Sequence, residues 1–229
     1  MNYHQLTIEI DLDGLKKIQE FQQSVAIVRS FKGFDPSKEH PVVCIAFEPF
    51  WQYNIIKFTT DWKMVVSTQS IKEYNTVLVQ CETISPVSVG YTYTYNGVSF
   101  DEGRKGLPSQ YGLDNQHDKK ETITVGMSQK VISPNEDEQF RQTNAAAVPF
   151  DNIIYFEPLE KIKVFLANNM KNGLILPPNI LIPNTDRRPI SGPLEIVIGR
   201  YLEVNLTDKE TIIHYDNKNN TFALGPLPA

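Results

Sequence analysis

The sequence predicts an all-β protein, folded as an antiparallel β-sandwich of the Ig-like or jelly-roll-like type. Short segments that alternate apolar and polar residues recur at the close spacing typical of sandwiches and barrels. A single stretch in the first 160 residues has helical spacing, and clusters of turn residues separate the segments. We expect one β-rich domain over residues 1–229, with residues 101–120 as the one place where it could divide.

A strand and a short helix open the chain. Leu6, Ile8 and Ile10 alternate with polar residues, and a period of two is that of a half-buried strand. Asp13 is the predicted N-cap of the helix, because its carboxylate can accept hydrogen bonds from the first turn. Three apolar residues then recur at helical spacing: Leu15, Ile18 and Phe21.

Further strands are predicted along the rest of the chain from their alternation and bounding turns. In the first half they cover residues 25–29, 42–47, 53–59, 62–68, 77–83 and 87–95. Asn96 and Gly97 predict a type I′ turn, with residues 98–100 as the returning strand. In the second half the strands cover residues 121–132, 161–167, 194–198, 202–206, 211–215 and 222–224.

Three segments do not match a strand pattern. Residues 101–120 and 133–143 are polar and are predicted to be loops, of a length that is usually functional or mobile. Residues 174–193 hold five prolines: Pro177, Pro178, Pro183, Pro189 and Pro193. Because proline cannot donate to a β-ladder, this segment is predicted to be a proline-rich extended arm. Its apolar centre is the candidate interface: Ile180, Leu181 and Ile182.

Composition limits the partners. The chain has 22 Lys and Arg against 27 Asp and Glu, a net charge of -5, so it lacks the basic surface that binds nucleic acid. The first residues do not resemble a signal peptide, so we expect synthesis in the cytoplasm, with release or storage as an inclusion as later fates. Cys44 and Cys81 lie in apolar segments and are expected to be buried, reduced thiols, although a disulfide between them stays open.

No catalytic motif is present, and we therefore predict a protein that is not an enzyme and needs no cofactor. The sequence has no nucleophile elbow, P-loop, dinucleotide-binding glycine pattern or C-x-x-C pair. A pair of carboxylates for glycoside hydrolysis can be recognised only from the distance between them, so a hydrolase stays open as the third hypothesis.

Two groups of acidic residues suggest a metal but have a simpler interpretation. One nearly matches a calcium-binding loop: Glu9, Asp11, Asp13 and Glu20. A strand precedes it where such a loop needs a helix, so we predict a strand running into a capped helix and no metal site. The second group, Asp114, His117 and Asp118, is interpreted as a solvated loop.

Aromatic residues are the binding candidates. One set shares a face of a predicted strand: Tyr91, Tyr93 and Tyr95. A second set lies on segments expected to be neighbours: Trp51, Tyr53 and Trp62. Rings with an apolar face and a polar edge suit sugars or membrane headgroups, whereas core packing is the competing interpretation.

Several segments together resemble a recurrent group of small β-rich bacterial and fungal proteins. The similarity rests on the opening strand and helix, on residues 47–50 (FEPF) and 53–68, on 126–129 (GMSQ), on 158–165 and on 173–175. The resemblance implies a β-rich fold. The group has no established activity, so no functional residue is carried over from it.

The first hypothesis for function is a non-enzymatic binding protein of the toxin or lectin kind. It would contact a glycan, a membrane surface or partner chains. The alternative is a self-assembling structural protein that forms a crystal, an inclusion or a filament. In both cases we expect some self-association, because the prolines that normally protect sheet edges are concentrated in one region.

Overall fold

A computed structural model describes residues 3–33, 35, 37, 39–76, 79–83, 85–185 and 198–228. Strands dominate this part of the chain, which contains one helix, so the all-β prediction is confirmed. Pro189 and Pro193 of the predicted arm lie outside the described residues, as does most of the strand predicted over residues 194–198.

The elements follow one another in this order. The first strand and the helix are β1 Tyr3–Glu9 and α1 Leu12–Glu20. Strands of the first half are β2 Gln23–Phe31, β3 Glu39–Pro41, β4 Val43–Phe47, β5 Tyr53–Ser67, β6 Cys81–Glu82, β7 Tyr91–Tyr95, β8 Arg104–Lys105 and β9 Tyr111–Asn115. Strands of the second half are β10 Ile123–Ile132, β11 Gln139–Gln142, β12 Asn144–Val148, β13 Ile153–Phe156, β14 Pro158–Asn168, β15 Leu202–Asn205, β16 Glu210–Asp216 and β17 Thr221–Leu224.

These strands form three sheets. The largest has nine strands in the order β17-β16-β1-β5-β10-β12-β3, with β11 paired to β10 and β6 paired to β5. The other two have four strands each, in the orders β13-β9-β7-β8 and β15-β14-β2-β4. Most pairs are antiparallel, but β1 pairs with β16 and β7 pairs with β9 in parallel, so the predicted antiparallel arrangement is wrong for these two pairs.

The inner face of the large sheet packs against both smaller sheets. In the first core cluster, Ile8 of β1 and Phe58 of β5 meet Ile27 of β2. In the second, Met64 of β5 meets Leu113 of β9. A third cluster lies on the other side of the β2 and β14 sheet, where Phe165, Leu174 and Leu176 are buried. Burial of apolar area between these sheets is the main force that holds them together.

The helix begins two residues earlier than the sequence predicted. Asp11, not Asp13, is the N-cap: its backbone is extended, with φ -71° and ψ 170°, and its side chain accepts a hydrogen bond of 2.6 Å from the backbone N–H of Gly14. The Asn217 side chain donates to both Asp11 carboxylate oxygens, at 2.8 and 2.9 Å. Asp13 lies in the first turn with its side chain 88% exposed.

The polar segment 101–120 is not a long loop, because it contains β8 and β9. β9 lies between β13 and β7, and Leu113, Asp114 and Asn115 are buried. Each polar group has a partner: Arg104 donates to Asp114 at 2.7 Å, and the Asn115 amide donates to two backbone carbonyls at 2.9 Å. Buried polar residues are accommodated when they are hydrogen-bonded, and hydropathy alone does not reveal this. The second predicted loop likewise contains β11.

The predicted reversal at Asn96 and Gly97 is present, but its geometry differs. Tyr95 and Phe100 form an antiparallel bridge across the turn, as expected. Gly97 has a positive φ of 102° while Asn96 does not, so this is not a type I′ turn. The Asn96 side-chain oxygen instead accepts from the backbone N–H groups two and three residues later, of Val98 and Ser99, at 2.9 Å each.

Candidate aromatic groove

One long strand, β5, sorts the predicted aromatic residues onto two faces of the large sheet. The sequence predicted two strands, over residues 53–59 and 62–68, but the chain is continuous from Tyr53 to Ser67. Successive side chains of a strand alternate between faces, so Tyr53 and Trp62 point in opposite directions. Trp62 is 5% exposed in the second core cluster, whereas Tyr53 is 63% exposed on the outer face.

Trp51 and Tyr53 lie in one groove of about 490 Å³. Both side chains are 63% exposed. We call this site the aromatic groove, lined on one side by Trp51, Tyr53, Ile55 and Lys57, and on the other by residues 132–137. It is therefore the place where two of the six predicted binding residues come together.

Hydrogen bonds hold the backbone that carries the two rings. The Asn54 side chain is buried on the inner face and donates to the Trp51 carbonyl at 2.7 Å. The Ile10 N–H donates to the Gln52 carbonyl at 2.8 Å, which ties this turn to the end of β1. Tyr53 itself is paired with Glu9 on β1. The rings thus project from a sheet margin whose backbone is held by hydrogen bonds to β1 and within the turn.

The opposite wall of the groove is polar. A turn joins Ser133 and Glu136 through a backbone hydrogen bond of 3.2 Å, and Asn135 in this turn has a left-handed φ of 63°. The Glu136 carboxylate accepts from the Ser133 hydroxyl and, at 2.8 Å, from Arg141. Partial burial by itself would raise the pKa of Glu136, but these hydrogen bonds outweigh it and hold the pKa below its usual value. The groove therefore keeps an ionised carboxylate acceptor.

This wall was missed in the sequence, where residues 133–143 gave only a polar-loop pattern. It reaches the aromatic rings because Ile132 of β10 pairs with Lys57 of β5. That register follows from an irregularity in the ladder between Gln129 and Val131. A bulge of this kind shifts which residues face each other, and no local sequence pattern marks its position.

The tyrosine set contributes mainly to the core. Tyr93 and Tyr95 are 9% and 3% exposed in the second core cluster. Their hydroxyls have partners: Tyr93 Oη accepts from the Ser88 N–H, and Tyr95 Oη donates to the Gly97 carbonyl, both at 2.9 Å. Tyr91 is 38% exposed, on the β13-β9-β7-β8 sheet and outside the aromatic groove. The six aromatic candidates do not form one site.

The described part of the proline-rich segment packs against its own chain. Ile180 and Leu181 are half-buried against the third core cluster. The Ile182 carbonyl accepts a hydrogen bond of 2.9 Å from the Tyr201 N–H. All three residues remain partly exposed, and the interface role predicted for them stays a prediction.

The acidic residues that resembled a calcium loop have separate structural roles. Glu9 accepts from the Leu227 N–H at 2.8 Å, Asp11 caps the helix, and Glu20 is exposed at its end. Among the residues described, no group of three or more His, Cys, Asp and Glu could hold a metal ion. The second acidic group is not the solvated loop that was predicted, because His117 is 4% exposed and lies 6.0 Å from the Tyr95 ring, centroid to centroid.

Both cysteines are free thiols, in different surroundings. Cys44 is buried, its Sγ donates to the Ile27 carbonyl at 3.2 Å, and burial raises its pKa to about 12. Cys81 is partly exposed, so the expectation that both thiols are buried was wrong for this one. Its pKa is also raised, by burial first and by Glu82 second.

We expect a maleimide or iodoacetamide reagent to modify one cysteine per native chain, Cys81, and both cysteines after denaturation. The thiolate is the reactive form, and Cys44 combines a pKa of about 12 with a site closed to solvent. Mass spectrometry of tryptic peptides measures the two rates. Cys81→Ser should leave the native protein essentially unlabelled, and equal labelling rates for the two cysteines would contradict the described burial.

The aromatic groove has to be interpreted from its own chemistry. No family model, curated protein or solved structure matches the chain. Among the described residues no helix is long and apolar enough to cross a membrane.

Proposed function

We propose that the protein is a non-enzymatic, lectin-like binding protein that holds a carbohydrate in the aromatic groove. One observation carries the proposal: Trp51 and Tyr53 each expose 63% of their surface within a single groove. Aromatic rings offer a rigid apolar face at a low entropic cost, and a sugar presents such a face on its C–H side. The opposite wall supplies groups that can form hydrogen bonds with sugar hydroxyls, from Asn135, Glu136 and Asp137.

The exposed apolar surface at this groove is a second argument for an interaction site. Trp51, Tyr53 and Ile55 are between 46% and 63% exposed and line the same groove. Contiguous exposed apolar patches mark interaction sites more often than scattered single residues do. The combination of rings with a few convergent polar groups is that of a small-molecule site.

Charge favours a glycan over a membrane surface. Glu136 and Asp137 lie on the groove wall, and the whole chain carries a net charge of -5. Anionic lipid surfaces attract clusters of Lys and Arg and repel carboxylates. Lys57 is the one cation of the groove among its described lining residues, and its Nζ lies 4.7 Å from the centre of the Tyr3 ring.

The groove carboxylates support binding rather than hydrolysis. A glycosidase needs one carboxylic acid whose pKa is raised so that it can protonate the leaving group. Hydrogen bonds lower the pKa of Glu136 instead, and one of its two carboxylate oxygens, Oε2, accepts from both Ser133 and Arg141. Such a group is suited to accept hydrogen bonds from sugar hydroxyls.

We also propose that residues 1–229 form one domain of a β-sandwich type. The second core cluster supports this, because it contains Phe31 of β2, Trp62 of β5 and Phe156 of β13, and so joins all three sheets. The Phe31 ring contacts both others edge-on, at 6.5 and 6.2 Å between ring centres.

A glycan array followed by titration calorimetry tests the function. We expect Trp51→Ala to weaken binding of the array hits at least about tenfold, equivalent to about 1.4 kcal/mol, since it removes the ring on which the sugar packs. Tyr91→Ala is the matched control, because it removes an exposed ring outside the groove and should leave binding unchanged. Circular dichroism checks that each variant is folded.

A wild-type protein that binds no glycan would overturn the proposal. So would a Trp51→Ala variant with wild-type affinity. Sedimentation with neutral and anionic phospholipid vesicles is the second arm. Binding to vesicles that Trp51→Ala removes would assign the groove to a membrane surface.

A further inference from the structure

A second pocket is lined in part by residues 48–50, which directly precede Trp51 in the chain. It has a volume of about 360 Å³ and is rich in amide side chains. We call it the amide pocket and define it by Gln19, Gln22, Gln23, Glu48, Phe50 and Asn169. Phe50 is 60% exposed, so this pocket too has an accessible aromatic ring.

The end of α1 and the end of β14 form the walls of the amide pocket. Gln22 and Asn169, which follow these two elements, both have left-handed φ values, of 50° and 57°. The Asn168 side chain donates to the Phe21 carbonyl at 2.7 Å and joins the two walls. Two of the three chain segments that line the pocket are therefore joined directly, and residues 48–50 form the third.

One amide in this pocket has an unsatisfied oxygen. Gln23 opens β2, is 8% exposed, and its Oε1 has no hydrogen-bond partner in the described part of the chain. A buried acceptor without a partner has lost its hydrogen bonds to water and gained none in return, which is unfavourable. The last torsion of a glutamine side chain is soft, so a small rotation brings the amide to a group that enters the pocket. This observation points to a ligand with hydrogen-bond donors.

The lining also indicates the class of ligand. Among the described residues of the pocket there is no Lys or Arg, and the one charged side chain is that of Glu48. Such a site disfavours phosphates and carboxylates. Neutral hydroxyl groups, which both donate and accept, match glutamine and asparagine amides.

The two sites adjoin along the chain. Phe50 belongs to the amide pocket and Trp51 to the aromatic groove, and consecutive Cα atoms are about 3.8 Å apart. We propose that the ligand is an extended, neutral oligosaccharide that crosses the turn of residues 48–52, with one part in the aromatic groove and another on Phe50 in the amide pocket. This inference rests on the proposed carbohydrate-binding function.

Two joined subsites predict a dependence on chain length. Once one sugar unit is bound in the groove, a linked unit reaches the amide pocket at a high effective concentration, and affinity rises without any new site. A monosaccharide occupies only one subsite and gains nothing from the other. Length dependence therefore distinguishes this arrangement from a single sugar site.

We expect the affinity to rise at least tenfold between short and long members of one series. The probes are linear cello-, chito-, malto- and xylo-oligosaccharides of one to six units, measured by calorimetry with the intact chain. Phe50→Ala should abolish the rise while leaving the affinity for short members unchanged, whereas Trp51→Ala should weaken both. Phe21→Ala is the control, because this ring is 54% exposed and lines neither pocket. Gln22→Gly, which tolerates the left-handed backbone, should reduce the rise in part.

The outcomes separate this inference from the proposed function. Affinity that does not depend on length, or long-chain affinity that Phe50→Ala leaves intact, overturns the inference while the loss on Trp51→Ala still supports the groove. Equal losses for short and long members on Phe50→Ala would make the two pockets a single subsite, which also overturns it. Failure of the wild-type protein to bind any saccharide overturns both.

Discussion

Replacing Gly126 with alanine is expected to lower the free energy of unfolding by about 3 kcal/mol or more, at the upper end for an overpacked site. A Cβ at this position would collide with the Asn144 carbonyl oxygen and lie 2.8 Å from the Gln142 amide nitrogen. These two groups are hydrogen-bonded to each other at 2.9 Å and buried. The Asn144 oxygen belongs to the backbone, so it cannot move aside as a flexible side chain could.

The position explains why a glycine is needed. Gly126 lies in the middle of β10, and the chain passes from β11 to β12 beside it. Thr143, between these two strands, donates from its N–H to the Met127 carbonyl at 2.8 Å, and the Asn144 side chain accepts from the Met127 N–H at 2.8 Å. The backbone of β10 and the backbone between β11 and β12 approach closely because Gly126 has no side chain to separate them.

Urea unfolding followed by circular dichroism measures the effect. Gly33→Ala is the matched control: it has a left-handed φ of 68° and no neighbouring atom within 4 Å of the added Cβ, so it should cost only the backbone strain of about 1–2 kcal/mol. A Gly126→Ala variant that is no less stable than Gly33→Ala would contradict the described packing.

The strands that the sequence predicted well are those with a local signal. β1, β2, β10 and β16 alternate apolar and polar residues or form continuous apolar runs, and either pattern depends only on near neighbours in the chain. The parallel pairing of β1 with β16 has no such signal. It brings Ile8 beside Ile213 across almost the whole length of the chain.

β9 shows why the polar composition of residues 101–120 led to the wrong prediction of a loop. Residues 111–115 read YGLDN, with a single aliphatic side chain, yet Leu113, Asp114 and Asn115 are buried. Burial is possible because both polar side chains have hydrogen-bond partners elsewhere in the chain. Arg104 donates to the Asp114 carboxylate. The Asn115 amide donates to the backbone carbonyls of Glu121 and Val148. The partners are fixed by the fold, and hydropathy does not identify them.

The sequence predicted only part of the candidate site, because the rest depends on contacts that the fold creates between distant residues. Trp51 and Tyr53 were expected to be neighbours, and they share a groove. Trp62 was grouped with them, but the continuous strand β5 places it on the opposite face. The amide pocket had no sequence signal, because Gln23 and Asn169 meet only after β2 and β14 have paired.

Replacing the buried cation Arg29 is also expected to have a large effect on the free energy of unfolding, and here the effect is an increase in stability. The Arg29 side chain is fully buried, and its Nη2 lies 3.2 Å from a carboxylate oxygen of Glu160, whose own side chain is 52% exposed. Its Nε and Nη1 have no hydrogen-bond partner in the described part of the chain. Burial lowers the pKa of Arg29, against the opposing effect of Glu160, which shows that the charged form is poorly compensated.

We expect Arg29→Met to raise the free energy of unfolding by about 1–3 kcal/mol, because an apolar side chain of similar length removes the cost of burying a charge. The guanidinium also lies over the rings of Phe58 and Trp62, at 5.7 and 5.4 Å from their centres. Cation–π contacts of this kind contribute about 2 kcal/mol when desolvated, which is less than the several kcal/mol needed to bury an ion. The thioether of methionine retains a favourable contact with both rings.

Glu160→Gln tests the same balance from the partner's side and should destabilise the protein, since it leaves the Arg29 charge buried without its counter-ion. In the Arg29→Met background the same change should have almost no effect, because Glu160 is half-exposed and no longer has a cation to pair with. A double-mutant cycle measured by urea unfolding gives this coupling directly. An Arg29→Met variant less stable than the wild type would show that the guanidinium has a satisfied role in the fold, and the coupling energy would then measure how much of it depends on Glu160.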